Sequence, residues 1–419
     1  MRRKILILIL TSLIILIFNS CIENKSDFKG EGDIISEENN SMIEENENNK
    51  DDDFQGIVNS MTLDEKIGQL LIVGFEGTYV DEDITDLIKN KYLGGIIFFG
   101  NNVESLSGVI SLTNELRGLN SENKVPLFIS VDEEGGLVSR VPNEFIKIPS
   151  AEYIGAFDNK GKCYELGSII AEELKVMGYN MDYAPVLDIL SNHNNTVIGN
   201  RAFGNNAETV SRLAVNTMKG IQDKGVISVV KHFPGHGDTT VDSHYGLPLV
   251  EKNLDELKAL EFIPFENAIK NGADAIMVSH ILLENVDSDN PASMSKIIIS
   301  DILRNDMNFK GVVVTDDMTM GAIVENYDIG EAAVKSINAG SDIVLVCHGY
   351  DNEIKVFNSI KEAVNNGTIS EERLNESVYR ILSLKKKYNL NDKKVEELTD
   401  ISEINRRIEK IVKWWLSIS

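Results

Sequence analysis

Eight short apolar runs constrain this chain more than any other feature. They occupy residues 69–73, 95–99, 127–131, 180–184, 226–230, 275–278, 311–314 and 343–346. Most are rich in Ile, Val, Leu, Met or Phe and all are too brief for a buried helix, so each reads as a buried strand. Between them lie stretches of helical periodicity, for example 161–177, 207–224, 253–271 and 330–339. Eight strand–helix repeats predict an α/β fold with a parallel sheet closed into a TIM-type (β/α)8 barrel. An open doubly wound sheet would carry a phosphate or dinucleotide loop after a strand, and no G-x-G-x-x-G or P-loop pattern does so here. In a barrel the reactive groups gather at the C-terminal ends of the strands. Asp132, Lys231-His232, His280, Asp316 and His348 all stand at or just beyond such ends.

The densest polar cluster is Lys231-His-Phe-Pro-Gly-His236-Gly-Asp238-Thr-Thr-Val-Asp242-Ser-His244, which holds three of the six histidines. Pro234, Gly235 and Gly237 make it a loop rather than a helix. A solvated loop that caps its own backbone is one reading. A metal site is disfavoured, because Pro-Gly between His232 and His236 breaks the helix that would aim both rings at one ion. The third reading is acid–base chemistry, since Asp242-Ser-His244 has the spacing for a carboxylate to orient an imidazole. A second reactive group stands at the end of the seventh run, where Asp316 and Asp317 follow Thr315. One aspartate there can cap the next helix, which leaves the other for a different task. A carboxylate and a proton donor are the minimum equipment for displacement at a sugar's anomeric carbon.

These segments resemble the β-N-acetylglucosaminidases of glycoside hydrolase family 3. The resemblance covers residues 56–390 and rests on four ordered motifs. They are Asp132-Glu-Glu-Gly-Gly136, Ile198-Gly-Asn-Arg201-Ala-Phe-Gly204, the 231–248 loop, and Thr315-Asp-Asp-Met-Thr-Met320. It implies hydrolysis of terminal β-linked N-acetylglucosamine with retention, through a covalent intermediate, and without a cofactor or metal. It carries the nucleophile to Asp316, the proton donor and acceptor to His244, and the orienting carboxylate to Asp242. Sugar binding falls to Asp132, Arg140, Arg201, Lys231 and His232. Asp317 is expected to organise the turn after the strand, and His236 to brace its loop. His280 and His348 are expected at a polar rim or in structural roles, and His193 in none. Leu137 stands where many members have arginine, and Asn200 where many have aspartate. Three other functions stay open: a phosphorylase on the same fold, a β-glucosidase of the same family, and a sugar-binding lipoprotein without catalysis.

The ends of the chain read separately. Residues 1–21 begin with Arg2-Arg-Lys4, continue as an apolar stretch from Ile5 to Phe18 and reach Cys21. That stretch is short for a membrane span and suits a signal peptide, with Cys21 resembling a lipoprotein lipidation site. Residues 22–55 carry 12 acidic side chains against 3 lysines and little to bury, which predicts a disordered, self-repelling tether. The resulting expectation is an extracytoplasmic enzyme, lipid-anchored to a bacterial membrane and monomeric. The formal charge of −25 argues against nucleic acid as a partner. Cys163 and Cys347, both in apolar segments, are expected as buried thiols. Residues 391–419 read as a C-terminal helical extension that packs on the barrel or a membrane surface.

Overall fold

The computed structural model describes residues 56–239, 242–243, 246–396 and 400–418. The leader 1–21 with Cys21, the tether 22–55 and His244 lie outside the described residues. All eight apolar runs form strands: β1 (Leu71–Val73), β2 (Gly95–Phe98), β3 (Phe128–Val131), β4 (Met181–Asp182), β5 (Ile227–Phe233), β6 (Ala275–Val278), β7 (Val312–Asp317) and β8 (Ile343–Val346). They pair in sequence order, every ladder parallel, and β8 closes on β1. Their residues are buried almost without exception, as expected of strands covered on both faces. A separate pair of two-residue strands, Leu249–Val250 and Leu282–Leu283, sits outside the barrel.

The surrounding helices are α1 (Leu63–Gln69), α2 (Glu82–Lys91), α3 (Leu106–Asn120), α4 (Lys160–Met177), α5 (Ala207–Asp223), α6 (Leu254–Ala259), α7 (Phe262–Lys270), α8 (Ile329–Ala339), α9 (Tyr350–Asn365), α10 (Glu371–Lys387) and α11 (Ser402–Ile418). Local sequence fixes their starts. Thr62, Asp81, Ser105, Asn159, Asn206, Asp328 and Ser370 each accept a hydrogen bond from a backbone N–H of the first turn, which satisfies a donor that the helix itself leaves unpaired.

Two sequence expectations need correction. The helical pattern 253–271 is two helices, α6 and α7, broken at Leu260 (φ −140°, ψ −73°). Pro264 has no N–H to donate to the Leu260 carbonyl, so a continuous helix would lose that bond. The break also turns Phe262 and Phe265 onto Phe233 at the end of β5, with ring centroids 5.4 and 5.2 Å away. Second, β5 and β7 each continue three residues past the predicted runs, so Lys231, His232, Asp316 and Asp317 belong to strands rather than to the loops after them.

At the N-terminal end of the barrel, Lys385 of α10 is buried and donates to Gln69 Oε1 (2.7 Å) and the Gly94 carbonyl (2.8 Å). Its ammonium lies 4.4 Å from the Phe128 ring centroid. Burial pushes its pKa down to about 7, with Asp392 opposing. The last helix, α11, packs on α4. Trp415 is fully buried against Phe157, and Arg407 pairs with Glu172 of α4. Asn405 of α11 accepts from the Ile146 N–H and donates to the Glu144 carbonyl, 2.9 and 2.8 Å. Among the described residues no helix is long and apolar enough to cross a membrane.

Candidate active site

At the C-terminal mouth of the barrel lies a cavity of about 240 Å³, room for roughly eight water molecules and thus the scale of one sugar residue. Asp132, Arg140, Arg201, Lys231, His232 and Asp316 all line it. They arrive from separate elements: Asp132 from the end of β3, Arg140 and Arg201 from the loops after β3 and β4, Lys231 and His232 from β5, and Asp316 from β7.

Strand alternation decides which acids of Asp132-Glu133-Glu134 face the mouth, since successive side chains point to opposite sides. Asp132 and Glu134 both ion-pair with Lys231, Glu134 Oε1 lying 2.6 Å from Nζ. Glu133 points the other way, into a buried layer with Asp182, whose Oδ1 accepts from the Glu133 N–H at 2.9 Å. Burial pushes the Glu133 carboxyl up to about 7. Gly135 and Gly136 then reverse the chain with φ of 77° and 62°, values that favour glycine. A Cβ on Gly136 would also come within 2.8 Å of Ser150.

Lys231 and His232 are successive, yet both face the cavity. The register of β5 against β6 shifts between Val230 and Phe233, and such a bulge re-aims side chains at a strand's end. The register between β7 and β8 shifts in the same way, and both Asp316 and Asp317 line the cavity.

Glu134 is the hub of the site. Its side chain is 3% exposed and it accepts from Arg201 Nε (2.8 Å) and Nη2 (2.7 Å), a two-pronged pairing, as well as from Lys231. Burial opposes its charge, but Arg201 and Lys231 outweigh burial and hold the carboxyl well below its ordinary range. The same pairing orients Arg201. Lys231 is raised in turn: burial works against its charge, and Asp132 and Glu134 overcome it.

Asp188 is the second buried anchor. Its Oδ2 lies 2.6 Å from His232 Nδ1, and its Oδ1 accepts from the His236 N–H at 2.6 Å. Burial would raise its pKa, but the facing His232 ring and the bonded His236 more than offset this. With Nδ1–H given to Asp188, Nε2 of His232 stands 3.3 Å from Arg201 Nη2.

Asp316 is half-buried at the cavity wall, and the desolvation there favours its neutral form. His280, His232, the Asp317 N–H (2.9 Å) and Lys231 outweigh that and hold it below its usual value. It is therefore an anion at neutral pH, facing the cavity. Asp317 organises the following turn as expected: Oδ1 accepts from the Thr319 N–H (2.9 Å) and the Cys347 N–H (3.0 Å), Oδ2 from the Thr319 hydroxyl (2.6 Å).

The remaining histidines divide. His236 contacts Thr239 Oγ1 (2.7 Å) through Nδ1 and Ser243 Oγ (3.2 Å) through Nε2, so it braces the 236–243 loop while also lining the cavity. Burial and neighbouring His232 lower its pKa to about 4, which keeps it neutral. Ser243 lines the cavity, and its carbonyl accepts from the Ala322 N–H at 3.1 Å. Asp242 precedes it at intermediate burial, and His244, the next residue, is beyond the described ones. His280 does not reach the cavity wall. It is buried, 2.7 Å from Ser293 Oγ and 2.9 Å from the Asp317 carbonyl. His348 lines the rim, its ring 5.1 Å from Phe99. His193 is exposed. Cys163 and Cys347 are buried free thiols, and Cys347 is part of the cavity wall.

Glu134 and Asp188 were not singled out by sequence reasoning, and Cys347 was expected as a buried thiol but not as part of the cavity wall. A signal existed for the two acids. Glu134 lies two residues beyond Asp132 in the extended segment just past β3, and Asp188 is a lone acid inside the apolar segment 185–190, which a fold tolerates only with a partner.

Comparison with known proteins places this constellation. Residues 62–384 match the glycosyl hydrolase family 3 N terminal domain. Beta-hexosaminidase A of Pseudoalteromonas piscicida is 35% identical over 334 residues, 74% of this chain and 56% of its own length, so the chain spans little more than half of that relative. A beta-hexosaminidase of Neisseria gonorrhoeae is 40% identical over 277 residues, 64% of this chain and 75% of its own. Among solved structures, a family 3 β-N-acetylglucosaminidase from Paenibacillus sp. str. FPU-7 superposes with a TM-score of 0.80 at 40% identity, covering 84% of this chain and 68% of that one.

Proposed function

Because the chain belongs to glycoside hydrolase family 3, we propose that it is a retaining exo-β-N-acetylhexosaminidase, releasing terminal β-linked N-acetylglucosamine through a glycosyl–Asp316 intermediate. One observation carries the reading: an anionic, half-buried carboxylate, Asp316, shares a sugar-sized cavity with Asp132, Lys231 and Arg201, the two cations being held by Glu134 behind the wall. Asp132 accepts hydrogen bonds from ring hydroxyls, while Arg140, Arg201, Lys231 and His232 hold the sugar's oxygens. An Asp316 carboxylate oxygen attacks the anomeric carbon as the bond to the aglycone oxygen breaks. His244, oriented by Asp242, gives that oxygen its proton. Water then attacks the glycosyl ester, losing a proton to His244 and releasing Asp316. A proton carrier of this kind contributes about 10²–10⁴-fold in rate. An imidazole also avoids the competition for ionisation that a second carboxylate beside Asp316 would bring.

A cavity on the scale of one residue supports removal of single sugars from a chain end. The leader, Cys21 and the acidic 22–55 segment support a lipid-anchored enzyme outside the cytoplasmic membrane, with peptidoglycan fragments as substrate. The test is turnover of an aryl β-N-acetylglucosaminide, followed by NMR of the first-formed anomer and by intact mass during slow turnover. The β-anomer of free N-acetylglucosamine and an adduct on Asp316 are expected. Inverted product refutes the covalent route, and sugar-1-phosphate formed in phosphate buffer refutes hydrolysis in favour of phosphorolysis.

A further inference from the structure

A second cavity, of about 100 Å³, opens beside the first and shares Cys347 and His348 with its wall. It lies between the segment after β1, the first turn of α2 and the first turn of α9. Glu76, Asp81, Asp83 and Glu353 line it, and no lysine or arginine does. Three of these acids have ordinary duties. Asp81 caps α2, accepting from the Ile84 N–H at 2.9 Å. Glu76 accepts from the Asn101 amide. Asp83 is exposed on the first turn of α2, where the helix dipole favours an acid.

Glu353 has no such explanation. It is the fourth residue of α9, past the capping position, and only 3% exposed. Among the described residues no side chain or backbone group donates to its carboxyl. Asp83 and Asp81 face it from α2, Glu76 and His348 stand across the cavity, and Tyr350 on its own helix gives its hydroxyl to Asp86 instead (2.9 Å). The carboxyl lines the cavity without a protein donor, and a ligand that brings N–H groups there would supply one.

We infer that this cavity binds a primary ammonium group, with Glu353 as its counter-charge and Glu76, Asp81 and Asp83 as an acidic rim. The volume holds about three waters, which suits an ammonium head and a short stem. Among the described residues no three His, Cys, Asp or Glu side chains are disposed to ligate a metal ion. An ammonium needs only one carboxylate and nearby acceptors. Since the two cavities share a wall, an ammonium on the aglycone of a sugar held in the first would extend into the second. That extension rests on the glycosidase reading; binding of a free amine does not. Burial, Asp83 and Asp81 push the Glu353 carboxyl up to about 8, so the ligand must displace a proton below that pH. Affinity then strengthens about tenfold per pH unit up to about 8 and levels above it, while an alkylammonium, like lysine with a pKa of about 10.4, stays charged.

The experiment is calorimetric titration of the full chain with ethylammonium chloride between pH 6.5 and 9. Tetramethylammonium, of equal charge but without an N–H, is the control. Saturable ethylammonium binding with this pH dependence is expected, weakened about 10- to 100-fold in Glu353→Gln. Glutamine keeps the side chain's shape and uncharged state, and Asp83→Asn, on the surface, provides a second variant with a smaller loss. No saturable binding at pH 8.5, or equal binding in wild type and Glu353→Gln, overturns the site. The source follows from two aryl β-N-acetylglucosaminides that differ only in an aminoethyl or a hydroxyethyl group. A kcat/KM preference for the amine, lost in Glu353→Gln, assigns the ammonium to the substrate. Equal kcat/KM alongside ethylammonium binding assigns it to a free amine. A wild type that cleaves neither glycoside yet binds ethylammonium keeps this site and refutes the glycosidase.

Discussion

Glu134→Gln is the most demanding perturbation of the network at the barrel mouth. The carboxylate takes two hydrogen bonds from Arg201, at 2.8 and 2.7 Å, and one contact from Lys231 at 2.6 Å. Glutamine keeps one acceptor oxygen and turns an NH₂ towards a cation that can only donate. At least one charge-assisted hydrogen bond, about 1.5–3 kcal/mol, is lost outright. Two buried cations are then left with Asp132 as the nearest counter-charge. Removing one partner of a buried pair costs about 3–5 kcal/mol, and that is the expected fall in unfolding free energy at pH 7, a large part of the roughly 5–15 kcal/mol a domain possesses. The pH dependence has a definite sign. Arg201 and Lys231 overcome burial and depress the Glu134 pKa in the fold. Its contribution is therefore complete above the unfolded value of about 4.3 and declines as pH falls from there towards the lower folded value. The gap between wild type and variant should be flat from pH 7 to about 5.5 and narrow below about 4.5. Urea denaturation followed by tryptophan fluorescence at several pH values measures it. KM should rise more than kcat falls, because the groups that hold the sugar lose their support while Asp316 keeps its own. A loss under about 1 kcal/mol at pH 7, or a gap that widens on acidification, would refute the assignment of Glu134 as the hub.

Three further outcomes are expected. Asp316→Asn should lose at least about 10³-fold in kcat with sugar binding retained by calorimetry; near-normal turnover would remove it from the nucleophile's role. His244→Ala should lose about 10²–10⁴-fold on glycosides with poor leaving groups and far less on those that leave as stable anions; a uniform loss would contradict proton donation. Lys385, lowered to about 7 by burial, binds fewer protons folded than unfolded between about pH 7 and its unfolded pKa of about 10.4, so stability should rise with pH across that window. In Lys385→Met that slope should flatten, and identical slopes in urea titrations at pH 7, 8 and 9 would count against the burial argument.

The barrel was legible because its strands are covered on both faces. Continuous apolar runs of four or five residues, such as 226–230 and 343–346, carry an unambiguous signal when eight of them alternate with helical stretches. Strand ends were less legible. Lys231, His232, Asp316 and Asp317 belong to strands whose ladders slip by a residue, and polar side chains there mimic a loop. The break between α6 and α7 was foreshadowed by Pro264, whose missing N–H matters only once the helix around it is assumed. At the site, Asp132, Arg140, Arg201, Lys231, His232 and Asp316 were named through the resemblance of their motifs to the family, and the structure brings them to one cavity. Glu134 and Asp188 act one step behind those groups, Glu134 as the counter-charge to Arg201 and Lys231, Asp188 as the acceptor that holds the His232 ring. Their need arises only when the segments after β3 and β4 converge with β5.

The bonds from Asn405 to both ends of the Glu144–Ile146 turn have a consequence for how this enzyme would fail. Arg140 rides on the same excursion of chain, so α11 serves as a buttress for one wall of the cavity at the barrel mouth, Asn405 lying 259 residues away in sequence from Ile146. Loss of the two Asn405 bonds would loosen that wall before it touched the barrel, and a slackened cavity, rather than collapse, would be its earliest symptom.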